Sequence, residues 1–462
     1  MARHYDESAG ETRRMDDARY EDTSVPEDTD ARWEPIPDDE WETANAPEEP
    51  FGSPVADDGL EPSRTMVRRR PVEAAPAPGS YVQDAWQEET GESYAPREPR
   101  VSQREAWGGG ASPRPSRPAR DRAPRPRRGA RHGCLSALLW LVMLAVLALM
   151  ALRCLPSELA NGRLVPEIVS FVPWLFAPIA VCLVLAALWR RWLLLVVSGT
   201  ALAVMLWWHA GYLLPGARVS DAAVVTTQTT ADASDNVARV MTLNTRNGSA
   251  SAEEVVALVR DEHIEILCLQ ELTDDFITAL WNAGIGEYLP HYVISDEASA
   301  ISNGGRNGIW TLAPMSNVSG NLLPIETSSM PAGTVQIGDT AVRVVSVHPN
   351  SPVRGAQDLW DEGLSVIGSL AGYDHSYLVM GDFNSTWNHA RFRELLGSDF
   401  VDAGSTAGEG FHMTYPSGTL PSVIEIDHIV YARDSGITVS SLEAVEVSGT
   451  DHCALLGVLE VG

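Results

Sequence analysis

Three long uncharged runs restrict what this chain can fold into more than any other feature of its sequence. They cover residues 133–152, 168–189 and 192–214. A helix of about 20 apolar residues is long enough to cross the hydrocarbon core of a bilayer. Pro173 and Pro178 in the second run are compatible with this interpretation, because membrane helices tolerate proline. The sequence therefore predicts three transmembrane helices.

The distribution of arginine around these runs predicts their orientation. Eight arginines lie between residues 114 and 131, directly before the first run, and Arg190 and Arg191 separate the second run from the third. Positively charged segments remain preferentially in the cytoplasm, so the N-terminus is expected inside and everything after Leu214 outside. The first run lies too far from Met1 for a secretory signal peptide. We expect a multi-pass protein of the cell membrane whose C-terminal part is extracytoplasmic.

The segment 1–132 has the composition of a disordered cytoplasmic tail. Residues 1–63 carry 20 acidic side chains against 5 arginines, and the following part is rich in proline and glycine and becomes basic. Such a composition buries too little apolar area to offset the entropy of the chain. The basic stretch could bind nucleic acid, but its place before a predicted span favours a role in topology. The sequence identifies no partner for the tail.

After a linker at 215–236, residues 237–462 read as one domain of ordinary size. Val237–Leu243 and Ile264–Leu269 are apolar runs typical of buried strands, and Ser251 with Glu254 forms a capping box before an amphipathic helix. Further strand patterns alternate with a few helical ones. The order of these patterns predicts a layered α/β domain.

The two cysteines of this domain, Cys268 and Cys453, both lie in apolar strand-like runs. A disulfide between them is chemically permitted in an exported domain. We expect two buried free thiols, with the disulfide as the alternative.

Polar residues follow many of the predicted strands. Each of them alone is explained equally well by a turn or a solvated loop, but carboxylates, amides and imidazoles at successive strand ends are what a metal-assisted phosphoester site requires. They are Asn244, Glu271, His348, Asp382, Asn384, Asp427, Asp451 and His452.

In this order the motifs resemble those of the endonuclease/exonuclease/phosphatase family, over roughly residues 237–462. The resemblance implies a four-layer α-β-β-α sandwich of the deoxyribonuclease I type, with the site at one edge of two packed sheets. The motifs that carry the resemblance are Asn244, Gln270-Glu271, His348-Pro349, Gly381-Asp382-Phe383-Asn384, Ile426-Asp427-His428 and Thr450-Asp451-His452.

The resemblance also implies a metal site. Glu271 would be the main carboxylate ligand of a Mg²⁺ or Mn²⁺ ion, helped by Asn244 and Asp451. Oxygen ligands of this kind suit a hard cation that also binds phosphate oxygens. Asp451 and His452 are adjacent, so both reach the site only if they lie in a loop before the last strand.

The remaining residues would act on the substrate, as the resemblance implies. Asp427 would hold His452, which would deliver the attacking water or steady the phosphate. Asp382 would orient the nucleophile or assist the leaving oxygen, Asn384 would donate to a non-bridging oxygen, and His348 would stabilise developing charge or act as an acid.

Two departures from the family pattern concern positions 428 and 306. His428 stands where family nucleases often have arginine or tyrosine, and the strand after Arg306 lacks the usual Ser-Arg end. Arg306 either replaces that cation or is a loop residue. Thr414-Tyr415-Pro416 resembles a family segment that lines the site, and packing explains its aromatic residue equally well.

These observations predict a membrane-anchored, metal-dependent phosphoesterase whose substrate is a lipid or small phosphoester. From Ala217 onward the chain has 32 acidic residues against 10 arginines, a balance that repels long polyanions. A surface nuclease acting on DNA or RNA is the alternative. A catalytically silent binding module is a second alternative, which the complete set of acid, amide and imidazole residues disfavours.

Overall fold

A computed structural model describes residues 133–162, 164–295, 303–418 and 420–462. The tail at 1–132, for which disorder is predicted, lies outside the described residues. The described chain begins with apolar helices and continues into an α/β sandwich.

The described residues between 133 and 214, which we call the apolar region, form six helices and one 3₁₀ turn. The 3₁₀ turn, Val172–Leu175, lies between the third and fourth helices. The helices are α1 (Gly133–Arg153), α2 (Ser157–Ala160), α3 (Val165–Val169), α4 (Phe176–Leu188), α5 (Trp192–Trp208) and α6 (Ala210–Leu213).

Only the first predicted span is, within the described ranges, a helix long and apolar enough to cross a membrane. Val172–Leu188 and Trp192–Trp208 are shorter apolar helices. The predicted continuous helices 168–189 and 192–214 are therefore wrong in their bounds. Pro173 lies in the 3₁₀ turn, and since proline lacks an N–H group it cannot continue an α-helical hydrogen-bond ladder.

The predicted linker at 215–236 contains a helix, α7 (Asp221–Thr227). Its N-cap residue Ser220 accepts a hydrogen bond from Ala223 N. Ala223 and the preceding Val219 are buried against Val458 of the last strand. The segment is thus held against the sandwich for part of its length, because it buries apolar side chains there.

The sandwich consists of two six-stranded mixed sheets. The first sheet has the order β11-β12-β1-β2-β4-β3 and the second has the order β5-β6-β7-β8-β10-β9. The strands are β1 (Val237–Asn244), β2 (Ile264–Leu272), β3 (His291–Ile294), β4 (Arg306–Thr311), β5 (Met315–Ser319), β6 (Ala332–Ile337), β7 (Thr340–Val347), β8 (Ser376–Asp382), β9 (Phe400–Asp402), β10 (Asp427–Ala432), β11 (Ile437–Glu446) and β12 (Cys453–Val461).

Helices cover the outer face of each sheet. Helices α8 (Ala252–Asp261) and α9 (Asp274–Asn282) pack on the first sheet, and α10 (Gln357–Gly368) and α11 (Ala390–Leu396) pack on the second. The predicted sandwich with helices on both sides is confirmed. The sequence patterns did not indicate α10, β3, β5, β9 or β11.

Side chains of the central strands alternate between two cores. In β1, Val240 packs between the sheets whereas Met241 and Leu243 pack against the helices. In β8, Met380 packs between the sheets and Val379 faces the helices of the other side. Because both faces of these strands are buried, they read as continuous apolar runs rather than alternating ones.

The apolar helices are joined to the sandwich by buried polar contacts. Arg153 at the end of α1 donates from Nε to Asn388 Oδ1 over 2.7 Å. The carbonyl oxygen of Gly211 accepts from Gly408 N at 2.9 Å. A Cβ at Gly211 would lie 1.9 Å from Ser405 O, so only glycine permits the two backbones to approach this closely. The helices and the sandwich therefore share an interface rather than a loose tether.

Cys268 and Cys453 are both buried free thiols. Burial raises the pKa of the Cys268 thiol well above its usual range. This agrees with the expectation of two unbonded cysteines.

Candidate active site

The predicted site residues meet at one edge of the two sheets. Strands β1 and β2 are parallel, and so are β7 and β8, so within each pair the chain leaves the sheet at the same edge. Asn244 ends β1, His348 follows β7 and Asp382 ends β8. The fold thus brings together residues that are far apart in the sequence.

Asp382 is the centre of this arrangement. Its Oδ2 atom accepts from Asn244 Nδ2 at 3.0 Å, lies 3.5 Å from His348 Nε2 and lies 3.7 Å from His452 Nε2. Burial alone would raise the pKa of Asp382, but the charge of His452 and a hydrogen bond from His348 outweigh it and hold the pKa below its usual range. The carboxyl group is therefore ionised at neutral pH.

Glu271 reaches the site through an irregularity in β2. The pairing of β2 with β4 shifts register between Leu269 and Leu272, and Glu271 has a φ of 57°. In a regular strand Glu271 would point in the same direction as Leu269, towards the helices. The bulge turns its carboxylate to the sheet edge instead, where Asn244 and Asn247 N donate to it.

Asn384 follows Asp382 in a tight turn. Asn384 has a φ of 48°, and its N–H donates to Asp382 Oδ1 at 2.7 Å. The amide side chain donates to Pro349 O, and Phe383 is fully buried in the core. Asp382 and Asn384 line the same cavity, and a left-handed turn rather than the predicted extended segment places them there.

His452 and Asp427 form a buried pair beside Asp382. His452 Nδ1 lies 2.9 Å from Asp427 Oδ2. Burial lowers the pKa of His452, but Asp427 and Asp382 outweigh it and raise the pKa to about 10. The imidazole is therefore protonated and held between two carboxylates.

The expected loop before the last strand is present. Strand β12 begins at Cys453, so Asp451 and His452 both precede it. Thr450 Oγ1 donates to the carbonyl oxygen of Asn244 and accepts from His452 N. These bonds fix the loop against the end of β1 and let adjacent side chains reach the same site.

A cavity of about 560 Å³ opens at this edge. Six of the eight predicted site residues line it. Asn244 and Asp427 lie directly behind, in contact with Glu271 and His452 respectively. The cavity-lining residues that bear polar or aromatic side chains are Glu167, Ser170, Phe171, Arg246, Asn247, Glu271, Asn303, His348, Ser351, Asp382, Asn384, Tyr415, Asp451 and His452.

The donor set fits a divalent cation. The carboxylates of Glu271, Asp382 and Asp451 line one cavity, where Arg246 lies 3.6 Å from Asp451. Carboxylate oxygens are the usual ligands of hard cations. Asn244 here donates its NH₂ to the carboxylates, while its oxygen accepts from Arg246 N, so the amide holds two acids in place.

A second group of possible ligands overlaps this one. Asp382, Asp427 and His452 offer ligand atoms within 4.8 Å of one another, and all three are buried. However, His452 Nδ1 and Asp427 Oδ2 already satisfy each other, whereas Asp427 Oδ1 is buried without a hydrogen-bond partner. Asp427 and His452 thus form a hydrogen-bonded pair that leaves one carboxylate oxygen of Asp427 without a partner.

The two departures from the family pattern have structural explanations. His428 is buried, with Nδ1 3.0 Å from Asp402 Oδ1 and Nε2 2.8 Å from Ser385 O. Burial lowers the pKa of His428, but Asp402 outweighs it and raises the pKa to about 9. Arg306 pairs with Asp274. Both residues serve the scaffold.

Arg246 and Tyr415 also line the cavity, although the sequence did not predict a role for Arg246 and left Tyr415 open between lining the site and packing. Arg246 lines the cavity from the turn after β1, where it has a φ of 51°. The Tyr415 ring lies with its centroid 5.0 Å from that of His452. The turn-rich stretch after Asn244 and the Thr-Tyr-Pro segment were the available signals.

Comparison with known proteins indicates the same family that the sequence motifs resemble. A model of the Endonuclease/Exonuclease/phosphatase family matches residues 241–452. The match covers 212 of the 462 residues, so this part of the chain is similar to that family. None of the curated proteins matches the chain.

Several solved structures are similar to about half of the chain. TDP2 of D. rerio in complex with a single-strand DNA product is 15% identical, with a TM-score of 0.41, and covers 49% of this chain and 100% of its own. Sphingomyelinase C of Streptomyces griseocarneus is 15% identical, with a TM-score of 0.35, and covers 48% and 99%. A family protein of Leptotrichia buccalis is 14% identical, with a TM-score of 0.39, and covers 48% and 99%.

Proposed function

We propose that this chain is a membrane-anchored, extracytoplasmic phosphoesterase that depends on Mg²⁺ or Mn²⁺. The observation that carries the proposal is the arrangement around one oxygen of Asp382, where Asn244, His348 and His452 converge from three different strand ends. Such a cluster of an ionised acid with charged and neutral donors suits phosphoryl transfer to water.

Asp382 and the residues around it have different roles in the hydrolysis. Asp382 orients a water molecule and accepts its proton as the water oxygen forms a bond to phosphorus. Protonated His452, held by Asp427, donates to a non-bridging phosphate oxygen. Asn384 donates to a second one. The bond from phosphorus to the leaving oxygen then breaks, and His348 stabilises the charge that develops there.

Glu271 and Asp451, with Asn244 beside them, would hold the divalent ion. When bound, such an ion neutralises charge on the phosphate and polarises its oxygens. The match of residues 241–452 to the family model supports this assignment. The density of carboxylates in the cavity supports it as well, because phosphate would otherwise be repelled.

The exposed apolar surface of the helices supports the proposed membrane anchor. The outer faces of α1 and α5 expose large aliphatic side chains such as Leu141 and Leu193. The helices Val172–Leu188 and Trp192–Trp208 have lengths of about 25 Å at 1.5 Å per residue, and local thinning of a bilayer accommodates this at modest cost. Three crossings with arginines inside would place the sandwich outside the cytoplasm.

The charge of the exported part favours a small or lipid-borne phosphoester over nucleic acid. An excess of 22 acidic residues, 32 against 10, raises the cost of bringing a polyanion to the site.

The full chain in detergent micelles is expected to hydrolyse bis(p-nitrophenyl) phosphate in the presence of Mg²⁺ and to lose this activity in excess chelator. Readdition of Mg²⁺ or Mn²⁺ should restore it, which separates loss of the ion from loss of the fold. Parallel assays with plasmid DNA and lipid phosphodiesters measure the substrate class. Activity that persists through exhaustive chelation would contradict the metal proposal, and specificity constants orders of magnitude higher for DNA would favour a nuclease.

Protease added to intact cells is expected to degrade the part of the protein after Leu214 and to spare the part before Gly133. The reason is the arginine asymmetry around the apolar runs. Antibodies against tags at the two ends measure the outcome, and lysed cells provide the control in which both ends are digested. The reverse pattern of protection would place the sandwich in the cytoplasm.

A further inference from the structure

One wall of the active-site cavity comes from outside the part of the chain that matches the family. Glu167, Ser170 and Phe171 lie between α1 and α4 and line the cavity together with Glu271, Asp382 and His452. The family match begins only at residue 241. We call residues Glu167–Phe171 the helical wall.

Buried hydrogen bonds fix the helical wall against the sandwich. His389 Nε2 lies 2.9 Å from Pro166 O, and His389 Nδ1 accepts from Thr386 N at 2.7 Å. Since Nδ1 accepts, the proton is on Nε2, which donates to the carbonyl oxygen of Pro166, the residue directly before the wall. Burial holds the pKa of His389 near 4, so this neutral form persists across the physiological range.

Further contacts flank the wall on both sides. Trp174 Nε1 donates to Val423 O at 2.8 Å, and Arg153 Nε donates to Asn388 Oδ1 at 2.7 Å. The wall is therefore anchored before and after the residues that face the cavity. A substrate at the site would meet a preformed surface there.

The Glu167 side chain has no partner of its own in the described part of the chain. Its Oε2 atom is shielded from solvent and forms no hydrogen bond, and none of the ion pairs there includes it. The carboxylates of Glu271, Asp382 and Asp451 line the same cavity, and Arg246 lies 3.6 Å from Asp451. A carboxylate in this position attracts a positive group that can also donate hydrogen bonds.

Aromatic side chains of the same cavity suit such a group. Phe171 lines the cavity with 48% of its surface exposed, and Tyr415 lines it as well. The faces of aromatic rings attract ammonium groups. Acidic and aromatic side chains thus occur together in one cavity that also contains the phosphate-directed residues.

We propose that the helical wall recognises the substrate and selects phosphoesters that carry an ammonium group beyond the phosphate. Glu167 pairs with the ammonium group, and Phe171 contacts the part of the substrate next to it. This inference rests on the proposed phosphoesterase function. The ammonium group could belong to a lipid headgroup or to a soluble diester, since both present the same chemistry.

The test compares two soluble diesters that differ only in the charged group. These are p-nitrophenyl phosphoethanolamine and ethyl p-nitrophenyl phosphate, assayed with the full chain in detergent micelles and Mg²⁺. The wild-type protein is expected to prefer the ammonium diester in kcat/KM by about tenfold, the factor that corresponds to about 1.4 kcal/mol of interaction. Glu167→Gln should bring the ratio of the two specificity constants close to one, and Glu167→Asp should retain part of the preference.

Glu158→Gln is the matched control. Glu158 is an exposed residue of the same connecting segment, outside the cavity, so this variant should keep the wild-type ratio. A second pair of substrates carries the same two groups on a lipid: phosphatidylethanolamine and phosphatidylethanol in mixed micelles. This pair shows whether the ammonium group belongs to a lipid headgroup or to a soluble diester. A preference confined to the lipid pair assigns the site to lipids, and one confined to the soluble pair assigns it to soluble diesters.

Two results would overturn the inference, and they differ from each other. A wild-type protein that hydrolyses both members of each pair equally, with no change in Glu167→Gln, leaves the phosphoesterase proposal intact but removes the recognition role of the wall. A wild-type protein that hydrolyses none of the four compounds with Mg²⁺ or Mn²⁺ contradicts the phosphoesterase proposal itself.

Discussion

Glu271→Gln is expected to lower kcat/KM for phosphodiester hydrolysis by about a thousandfold or more, while the protein stays folded. A divalent ion at the site contributes several kcal/mol to stabilising the transition state, and about 1.4 kcal/mol corresponds to each factor of ten. Glutamine keeps the size of the side chain and can still accept one of the two hydrogen bonds, because Asn244 Nδ2 and Asn247 N donate to different oxygens of Glu271. It removes the negative charge that the ion requires.

Titration with Mg²⁺ distinguishes a lost ligand from a general defect. In Glu271→Gln the Mg²⁺ concentration for half-maximal activity should rise by about tenfold or more, as is typical when a metal site is disturbed. Glu287→Gln, the same change at an exposed position far from the cavity lining, should match the wild type in both measurements. Near-normal turnover in Glu271→Gln would show that Glu271 is not a metal ligand.

The sequence was sufficient to locate the strand ends that form the site. Strands buried on both faces appear as apolar runs, and the polar residue that ends each run therefore stands out, as with Asn244 and Asp382. Parallel pairing then brings such ends to one edge of a sheet. For this reason the site residues could be predicted before any of their contacts were known.

The direction of individual side chains could not be predicted in the same way. Glu271 and Asn384 both have positive φ values, which are uncommon outside glycine and depend on the surrounding structure. A regular extension of β2 would have turned Glu271 towards the helices. The register shift that redirects it depends on pairing with β4, which is distant in the sequence.

The helical wall was missed for a different reason. Glu167 directly precedes the predicted span 168–189 and Phe171 lies inside it, and hydropathy alone indicates no role for either residue in a site. Their position depends on contacts of the flanking residues Pro166 and Trp174 with His389 and Val423, more than 200 residues later in the sequence, which no local pattern reveals. The break of the second predicted span near Pro173 is what frees this segment to reach the cavity.

Asp427→Asn is expected to lower kcat by about 10²–10⁴-fold, the range typical for loss of a positioned acid or base. Asp427 raises the pKa of His452 and holds its Nδ1 atom at 2.9 Å. An amide in its place carries no charge, so the pKa of His452 falls. Asp434→Asn, at an exposed position after the same strand β10, is the matched control and should leave kcat unchanged.

The pH profile of activity is expected to shift in one direction in this variant. If protonated His452 donates to the phosphate, activity is lost as the pH rises through the pKa of His452, and the variant with the lower pKa should lose activity at a lower pH than the wild type. The Mg²⁺ concentration for half-maximal activity should stay within about twofold of the wild-type value, because the proposed ligands Glu271 and Asp451 are untouched. A rise in that concentration as large as in Glu271→Gln would instead assign Asp427 to the metal, together with Asp382 and His452, whose ligand atoms lie within 4.8 Å of its own. The two carboxylate variants thus separate an acid that binds the ion from an acid that holds the imidazolium, since the first changes the metal requirement and the second changes the pH profile.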